Sequence, residues 1–449
     1  MTNAKEYIQQ VQQSLHEKDH DQTEFLQAVD EFFSSIAPFL AEHSEYQKHN
    51  LLQLITLPER VIQFRVPWQD DNGNWQVNRG YRIQFNSALG PYKGGLRFHP
   101  SVNLSILKFL AFEQIFKNSL TDLPIGGGKG GADFDPKGKS DNEIMRFCQS
   151  FMTELAKHVG PNTDVPAGDI GVGGREIGYL FGQYKRLRQY DAGVLTGKPL
   201  EFWGSKVRTE ATGYGVVYYV KHLLEDKKDN FKDKTVVISG SGNVAIYAIE
   251  KLIELGAKAV TASDSNGYVY DPEGIDLDVL KEVKEVQRER LTAYAKKRPN
   301  AQYFDGESVW NSEIQADIAL PCATQNEIDI KKAKLMVANG VKVVAEGANM
   351  PCTMEAAQYF IEHNIFYCPG KAANAGGVAV SALEMAQNSQ RQQWSKDEVD
   401  KQLDDIMLNI YHNCRDTAER YGQKDNFMMG ANIAGFAKVA KAMLAQGLV

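Results

Sequence analysis

The sequence of 449 residues contains little cysteine and no long hydrophobic run. Its five cysteines are scattered and never form a C-x-x-C pair, which argues against a disulfide framework or a zinc ribbon and favours a reducing compartment. No stretch of about 18 apolar residues occurs, so we expect no transmembrane helix. The first residues are polar and charged and are not typical of a signal peptide. We therefore predict a cytoplasmic protein with no membrane partner.

An excess of positive charge is also absent. The chain has 50 Lys and Arg against 57 Asp and Glu, a net charge of -7. Nucleic-acid-binding proteins concentrate basic residues, so we predict no nucleic-acid partner. An H-E-x-x-H match at residues 16–20 is surrounded by charged residues, whereas a zinc site of this kind needs a buried apolar helix. We therefore predict no bound metal.

Glycine, in contrast, is abundant, and many of the 38 glycines are clustered. The segment 240–245 reads Gly-Ser-Gly-Asn-Val-Ala, between an apolar strand at 235–239 and an amphipathic helix at 243–255. In this setting, glycines let backbone amides approach a pyrophosphate at the helix N-terminus. The next strand ends near Asp264, where an acidic residue would meet the adenosine ribose. The pattern predicts a dinucleotide site made by Gly240, Gly242, Asn243, Val244 and Asp264.

These residues leave the choice between NAD and NADP open. Asp264 favours a free ribose 2′-hydroxyl. The hydroxyl groups that flank it in Ser263-Asp264-Ser265 could instead donate to a 2′-phosphate. The arginine that usually accompanies a 2′-phosphate is missing from this position.

A second glycine cluster surrounds Lys129 in Gly126-Gly127-Gly128-Lys129-Gly130-Gly131. It is not a phosphate-binding loop, because no Ser or Thr follows the lysine. Glycines on both sides would bring the backbone close to a ligand and leave the amine in a cleft, where desolvation lowers the pKa of a lysine. The alternative is a flexible surface loop with a solvated lysine.

Further polar residues accompany this lysine. Lys93 lies in another glycine-rich segment, and Gln114 and Lys117 share one helix face, although a solvated face is the alternative there. Asp169, in a third glycine-rich stretch, could exchange protons with Lys129 or simply cap its loop. Three lysines in one region suggest a doubly anionic small substrate.

Apolar spacing predicts helices in the first 50 residues, strands between 60 and 98 with a hairpin at 70–74, and helices at 102–121 and 140–158. Beyond residue 200, strands and helices alternate, as in a doubly wound parallel sheet, and helices at 396–421 and 431–446 end the chain. We predict an α/β protein with a mixed α/β substrate-binding and oligomerisation domain (1–203), a Rossmann-type domain (204–424) and a cleft between them. We expect the C-terminal helix (425–449) to return to the first domain.

Six segments resemble the signature blocks of the hexameric glutamate dehydrogenases, in the same order and over essentially the whole chain from about residue 50. They are PYKGGLRF (91–98), PIGGGKGG (124–131), DVPAGD (164–169), EATGYG (210–215), PCATQN (321–326) and ANAGGV (373–378). The Gly-Ser-Gly-Asn-Val-Ala and Ser-Asp-Ser segments are most similar to the NADP-linked bacterial members. Trp203 departs from the pattern, because a glycine is usual there.

The resemblance implies reversible oxidative deamination of L-glutamate to 2-oxoglutarate and ammonium by a homohexamer with NADP(H), running toward glutamate synthesis. Lys129 would be the catalytic lysine and Asp169 its partner carboxylate. Lys93 and Ser381 would bind the substrate γ-carboxylate, and Gln114, Lys117 and the backbone of Gly168 would bind the α-carboxylate. Thr212, Asn243 and Asn374 would contact the cofactor. Ser263 and Lys137 would bind its 2′-phosphate.

Three alternatives accompany this hypothesis. The first is an NAD-linked glutamate dehydrogenase. The second is a related dehydrogenase of apolar amino acids, against which Lys93 and Ser381 argue, because an apolar pocket has no use for a buried cation. The third is a non-catalytic nucleotide sensor, in which Lys129 and Asp169 would have no role.

Overall fold

The computed structural model describes residues 4–448, which divide into two units. Unit 1 contains the chain up to Arg208, Val378–Val399 and the chain from Asn432 onward; unit 2 contains Thr209–Gly377 and Asp400–Ala431. The predicted boundary lay between residues 203 and 204, and the predicted second domain ended at residue 424. Because Val378–Val399 belongs to unit 1, Ser381 lies in the same unit as Lys93.

Helices make up about half of the described residues. In chain order, α1 to α17 are Ala4–Lys18, Thr23–Glu42, Ser44–Lys48, Leu51–Ile55, Leu104–Leu120, Asp141–Leu155, Gly174–Leu187, Ala211–Asp226, Asn243–Glu254, Leu277–Lys281, Thr292–Lys297, Ile330–Ala338, Met354–Glu362, Gly370–Ala373, Gly376–Gln390, Lys396–Arg420 and Phe427–Ala445. Short 3-10 turns occur at Ala192–Val194, Leu200–Phe202 and Val309–Asn311, and a π-helical turn occurs at Glu282–Val286.

The strands β1 to β13 are Arg60–Gln69, Trp75–Asn86, Tyr92–Phe98, Gly127–Ala132, Asp164–Gly168, Thr235–Ile238, Lys258–Ala259, Thr261–Asp264, Gly267–Tyr270, Gln302–Asp305, Ile318–Leu320, Val343–Ala345 and Phe366–Cys368. The predicted N-terminal helices, the hairpin, the helices near 102–121 and 140–158 and the two long C-terminal helices are confirmed, with small shifts of their ends. The strand predicted to end near Asp264 is β8, and a separate short strand, β7, precedes it.

The sheet of unit 1 has the order β1-β2-β4-β3-β5. Strands β1 and β2 form the predicted antiparallel hairpin, and β3 runs parallel to both β4 and β5. The glycine cluster around Lys129 is therefore a buried central strand, and the interpretation as a flexible surface loop is wrong. Behind this sheet, α6 and α7 pack on an aromatic core that includes Phe98, Phe134, Phe147 and Phe151.

Glycines are required in β4 and in its neighbour β3 because the two strands and helix α5 approach one another closely. A Cβ atom on Gly94 of β3 would lie 1.7 Å from the carbonyl oxygen of Gly128. A Cβ atom on Gly127 would lie 2.7 Å from Ile115 Cγ1 of α5. Helix α5 consequently packs directly on the glycine strand, which places Gln114 and Lys117 over the sheet.

Unit 2 contains an all-parallel sheet of order β13-β12-β11-β6-β7 and an antiparallel sheet of order β10-β9-β8. Helix α9 begins at Asn243, directly after Gly242, as the glycine motif predicted. The predicted α/β class and the Rossmann-type arrangement of strands and helices are confirmed.

Trp203 in unit 1 has a φ of 74°, in the left-handed region that favours glycine. A side chain there costs about 1–2 kcal/mol, which explains why glycine is the usual residue. Its carbonyl oxygen accepts a hydrogen bond of 2.8 Å from Asn388 Nδ2, which holds the backbone in place.

Across residues 4–448, no helix combines the length and the apolar character needed to cross a bilayer.

Candidate active site

Lys129 and Asp169 form an ion pair in unit 1. Lys129 Nζ lies 3.2 Å from Asp169 Oδ2, and Arg97 Nε donates to the same oxygen at 2.8 Å. Burial lowers the pKa of Lys129, although Asp169 opposes this shift. Burial alone would raise the pKa of Asp169, but Lys129 and Arg97 hold it well below its usual range. The pair therefore combines an ionised carboxylate with an amine that gives up its proton more readily than a solvated lysine.

Strand β5 and the turn after it place Asp169. Asp169 directly follows β5 and pairs with Val172, whose N–H donates to the Asp169 carbonyl at 2.9 Å. A Cβ atom on Gly168 would lie 2.4 Å from the Val172 carbonyl oxygen. Glycine at 168 therefore lets the turn fold back and keeps the Asp169 carboxylate over the sheet.

Gln114 and Lys117 lie on α5, and both side chains are half-buried. Burial lowers the pKa of Lys117 to about 8, and the nearby positive charge of Lys129 contributes. Gln114 Nε2 donates to Asn118 Oδ1 at 2.6 Å, and Asn118 Nδ2 donates to the carbonyl oxygens of Lys93 and Gly126. Asn118, which sequence reasoning missed, thus joins the helix to the strand that carries Lys93.

Lys93 on β3 is almost completely buried, with 1% of its surface exposed. Its Nζ donates to the Val165 carbonyl at 3.0 Å and to Thr196 Oγ1 at 2.7 Å. Both acceptors are neutral, and an ammonium group has three donors, so one donor and the positive charge remain for a ligand. Burial, together with Arg208 and Arg82, lowers the pKa of Lys93 well below its ordinary value.

Ser381 on α15 accepts a 2.9 Å hydrogen bond from Arg208 Nε. Its hydroxyl can therefore donate its own proton to a ligand. One turn later on the same helix, Glu384 forms a buried ion pair with Lys198, at 2.6 Å between Nζ and Oε1. Sequence reasoning missed Arg208, Thr196, Lys198 and Glu384, and the only signal was that Arg208 lies two residues before the block at 210–215.

Unit 2 contains a pocket of about 540 Å³ at the predicted dinucleotide motif. It is lined by Gly240, Ser241, Gly242, Ser263, Asp264, Ser265, Asn266, Gly267, Gly306, Glu307, Ser308, Val309, Cys322, Ala323, Thr324, Glu327 and Lys332. The left-handed φ of 90° at Gly240 makes the turn between β6 and α9, and Ser263 Oγ accepts the Gly240 N–H at 2.7 Å. The first residues of α9, Asn243 and Val244, follow this turn.

Asp264 uses both carboxylate oxygens within the protein. Oδ1 accepts the N–H of Asn266 at 2.9 Å, and Oδ2 accepts the N–H of Leu291 at 3.0 Å. The bond to Leu291 brings the preceding residue, Arg290, to Ser265, where the guanidinium donates to Oγ at 2.7 Å. An arginine from another segment of the chain therefore lies beside Ser265.

Five predicted cofactor residues lie outside this pocket's lining: Asn243 and Val244, and also Thr212, Asn374 and Lys137. Thr212 is in the first turn of α8. Asn374 Nδ2 donates to the Gly347 and Ala348 carbonyls, which fixes that loop. Lys137 belongs to unit 1, where it is exposed and its N–H donates to Asp135 Oδ1 at 3.0 Å.

Over the described part of the chain, no group of three or more His, Cys, Asp or Glu side chains could hold a metal ion. The five cysteines are buried and unbridged.

Two family models match the chain. Residues 204–447 match the model described as Glutamate/Leucine/Phenylalanine/Valine dehydrogenase, and residues 58–186 match the model described as the dimerisation domain of the same family. The chain belongs to this dehydrogenase family. Each match covers the greater part of one candidate site, so the glycine strand with Lys129 and the pocket at Gly240 are both features within family domains.

Relatives within the family are similar over almost the whole chain. The NADP-specific glutamate dehydrogenase of Haemophilus influenzae is 59% identical, over 96% of each chain. The NAD(P)-specific glutamate dehydrogenase of Xylanibacter ruminicola is 56% identical, over 98% of this chain and 99% of its own. The crystal structure of Plasmodium falciparum glutamate dehydrogenase superposes with a TM-score of 0.97 at 53% identity, over 99% of this chain and 95% of that one.

Proposed function

We propose that the protein is a glutamate dehydrogenase that interconverts L-glutamate with 2-oxoglutarate and ammonium, using NADP(H) and running toward glutamate synthesis. The observation that carries this proposal is the set of three lysines in unit 1, Lys93, Lys117 and Lys129, whose pKa values burial lowers. Burying several cations is unfavourable unless anions compensate them. A dicarboxylate substrate supplies two such charges.

Lys93 favours glutamate over an apolar amino acid. Its two acceptors in the protein are neutral, so its charge is available to a second carboxylate. Arg208 and Ser381 lie in the same unit and are joined to each other by a hydrogen bond. A pocket for a leucine or phenylalanine side chain would offer this buried ammonium no carboxylate to bind, and only the more distant charges of Glu384 and Asp164 would offset it.

In the proposed roles, Lys93 and Ser381 bind the γ-carboxylate, while Gln114, Lys117 and the backbone of Gly168 bind the α-carboxylate. When bound, the dinucleotide supplies hydride acceptance from Cα of glutamate and hydride donation in the reverse direction. Loss of hydride from Cα converts glutamate into 2-iminoglutarate, whose C=N carbon is attacked by water. Lys129, partly neutral because it is buried, takes a proton from this water and stabilises the charge that develops. Asp169, 3.2 Å from Lys129 Nζ, passes protons to and from the nitrogen until ammonia leaves.

The pocket at Gly240 fits a dinucleotide with a 2′-phosphate. The Gly240 turn and the N-terminus of α9 suit a pyrophosphate, because helix N-termini present unpaired N–H groups. Asp264 is occupied by backbone amides rather than offered to a ribose diol. Ser263, Ser265 and Arg290 supply donors for a phosphate, and the NADP-specific relative supports the same choice. Lys137 remains a proposed partner of the 2′-phosphate, and Thr212, Asn243, Val244 and Asn374 remain proposed cofactor contacts.

We place two further expectations with this function. The first is a homohexamer, in which the chain before the dinucleotide-binding region provides the oligomer contacts, as the description of the dimerisation-domain model suggests. The second is a cytoplasmic location.

Initial rates of 2-oxoglutarate amination with NADPH and with NADH, measured side by side, test the function. We expect turnover with 2-oxoglutarate and a higher kcat/KM for NADPH. Equal values with the two dinucleotides would contradict the assignment of the 2′-phosphate donors. Turnover only with apolar 2-oxo acids would favour the related dehydrogenases, and no turnover with any 2-oxo acid would favour a nucleotide sensor.

A further inference from the structure

Glu327 lines the dinucleotide pocket, and none of the roles described so far accounts for it. It lies between β11 and α12, and its carboxylate accepts four hydrogen bonds. Oε1 accepts from Ser239 Oγ at 3.0 Å and from the N–H groups of Ala323 and Thr324 at 3.2 Å each. Oε2 accepts from Trp310 Nε1 at 2.7 Å. One side chain thus joins three separate segments of unit 2.

These bonds connect the ends of two neighbouring parallel strands. Ser239 follows β6 and precedes Gly240, and its hydroxyl also accepts the N–H of Cys322, which follows β11, at 3.0 Å. A Cβ atom on Gly240 would lie 3.0 Å from the Cys322 carbonyl oxygen, so the glycine turn rests on this backbone. Open parallel sheets bind dinucleotides beyond the carboxyl ends of their strands. Glu327 therefore fixes the backbone on which the glycine turn sits.

The pattern of donors demands a carboxylate. The N–H groups of Ala323, Thr324 and Trp310 have directions fixed by the backbone or by the indole ring. A glutamine amide would point its NH₂ group either at Trp310 or at the two backbone amides. In each of these two orientations, one donor would face another donor. Only an ionised carboxylate accepts hydrogen bonds from these groups on both oxygens.

The negative charge of Glu327, considered alone, would disfavour dinucleotide binding in this pocket. The pyrophosphate of a dinucleotide is an anion, and a carboxylate in the same pocket repels it. A neutral side chain would bind the ligand better if charge were the only effect. The position of Glu327 is explained if the geometry that it imposes outweighs this repulsion.

We propose that Glu327 is a positioning residue for dinucleotide binding. It holds residues 322–324 against Ser239 and Gly240, and it occupies the amides of Ala323 and Thr324. The pyrophosphate is thereby directed to the N-terminus of α9 instead of to these amides. This inference rests on the proposed dinucleotide-dependent function. It gives Glu327 a role in dinucleotide binding that requires no contact with the ligand.

Glu327→Gln is the direct test, with Glu307→Gln as the matched control because Glu307 is an exposed glutamate of the same pocket. The dissociation constant of NADPH is measured by fluorescence titration. A mispaired buried donor displaces the loop at residues 322–324 on which the glycine turn rests, so we expect NADPH binding to weaken about tenfold in Glu327→Gln. Glu307→Gln only removes a negative charge and should bind NADPH as tightly as the wild type or more tightly. At saturating NADPH, kcat and the KM for 2-oxoglutarate should stay within about twofold of wild type in Glu327→Gln.

Ser239→Ala keeps the inference testable if Glu327→Gln does not fold. It removes one donor to Glu327 and the acceptor for Cys322, and we expect NADPH binding to weaken about threefold without a comparable change in the KM for 2-oxoglutarate. Wild-type NADPH affinity in a folded Glu327→Gln would overturn the inference. If Glu327→Gln does not fold, wild-type NADPH affinity in Ser239→Ala would overturn it. So would tighter binding in both glutamate variants.

The same titration separates this inference from the proposed function. A wild-type protein that binds NADPH but converts no 2-oxo acid contradicts the proposed reaction, while weak binding by Glu327→Gln still supports the positioning role. A wild-type protein that binds neither NADPH nor NADH contradicts the proposed cofactor and, with it, the role of Glu327.

Discussion

Two glycine-rich segments of this chain serve opposite purposes. In unit 1, Gly127–Ala132 forms a central strand whose glycines allow β3 and α5 to pack against its backbone. In unit 2, Gly240 and Gly242 form a turn that opens a helix N-terminus into a pocket of about 540 Å³. The first segment buries a lysine, and the second presents backbone amides.

Under the proposed function, the two segments bind anions in two different ways. In unit 1, cationic side chains lose water on burial, which lowers the pKa of Lys93, Lys117 and Lys129 and favours proton transfer as well as binding. In unit 2, the proposed binding groups are backbone dipoles, which do not titrate, and Glu327 accepts hydrogen bonds from the protein itself. We expect changes in unit 1 to affect chemistry and folding, and changes in unit 2 to affect dinucleotide affinity.

The largest effect is expected for Lys129→Ala. Removing the proposed general acid–base group should lower kcat about 10³-fold, whereas the dissociation constant of NADPH should stay within about twofold of wild type. Steady-state rates and a fluorescence titration measure the two quantities. Lys157→Ala, which removes an exposed lysine of the same unit, should retain wild-type kcat. A near wild-type kcat in Lys129→Ala would contradict the mechanism.

An alanine substitution on β3, facing the glycine strand of unit 1, and one in the glycine turn of unit 2 should have different consequences. In Gly94→Ala the new Cβ would lie 1.7 Å from the Gly128 carbonyl oxygen, so the backbone must move, and we expect the free energy of unfolding to fall by about 3 kcal/mol or more. Gly242→Ala has no atom within 4 Å of its Cβ and should change stability by less than about 1 kcal/mol while weakening NADPH binding. Denaturant unfolding and NADPH titration test both. Equal loss of stability in the two variants would contradict the comparison.

The pH dependence of substrate binding should reveal Lys117. Burial lowers its pKa to about 8, so the amine is charged below that pH and neutral above it. A neutral amine no longer attracts a carboxylate, and the KM for 2-oxoglutarate should therefore rise as the pH passes about 8. In Lys117→Arg the guanidinium keeps its charge, and this rise should disappear. A constant wild-type KM between pH 7 and 9 would show that Lys117 does not bind the carboxylate.

The smallest effect is expected at the exposed edge of the pocket in unit 2. Arg290→Ala removes the guanidinium next to Ser265, and an exposed charge contact is worth about 0.2–1 kcal/mol. We expect the KM for NADPH to rise up to about fivefold, with no change for NADH. Arg288→Ala, at an exposed arginine two residues earlier, should leave both KM values unchanged. Equal effects of Arg290→Ala on the two dinucleotides would argue against a 2′-phosphate contact.

Much of the fold follows from local patterns. Apolar spacing located α5, α6 and α9, and Ser140 and Glu143 form a capping box at the start of α6. The short strand β7 was not predicted, because it has only two residues and is defined by its pairing with β6, whereas β8 pairs with β9.

The candidate sites were predictable in their residue types but not in their complete composition. Lys93 and Lys129 were selected as candidates because they lie among glycines, and Lys117 because it shares a helix face with Gln114. Arg208 reaches Ser381, and Arg290 reaches Ser265, across long stretches of sequence. No local pattern reports such pairs, because they depend on how the elements pack.

The sequence by itself determined the helices and strands, the glycine turn before α9 and the presence of several lysines beside glycines, because these depend on local spacing and on the side chains that the backbone can tolerate. Only the tertiary structure decided that the glycines around Lys129 form a central strand, that Asp264 binds backbone amides and that Glu327 holds two strand ends together. Those outcomes depend on desolvation and hydrogen bonding between distant segments, which exist only after the chain has folded.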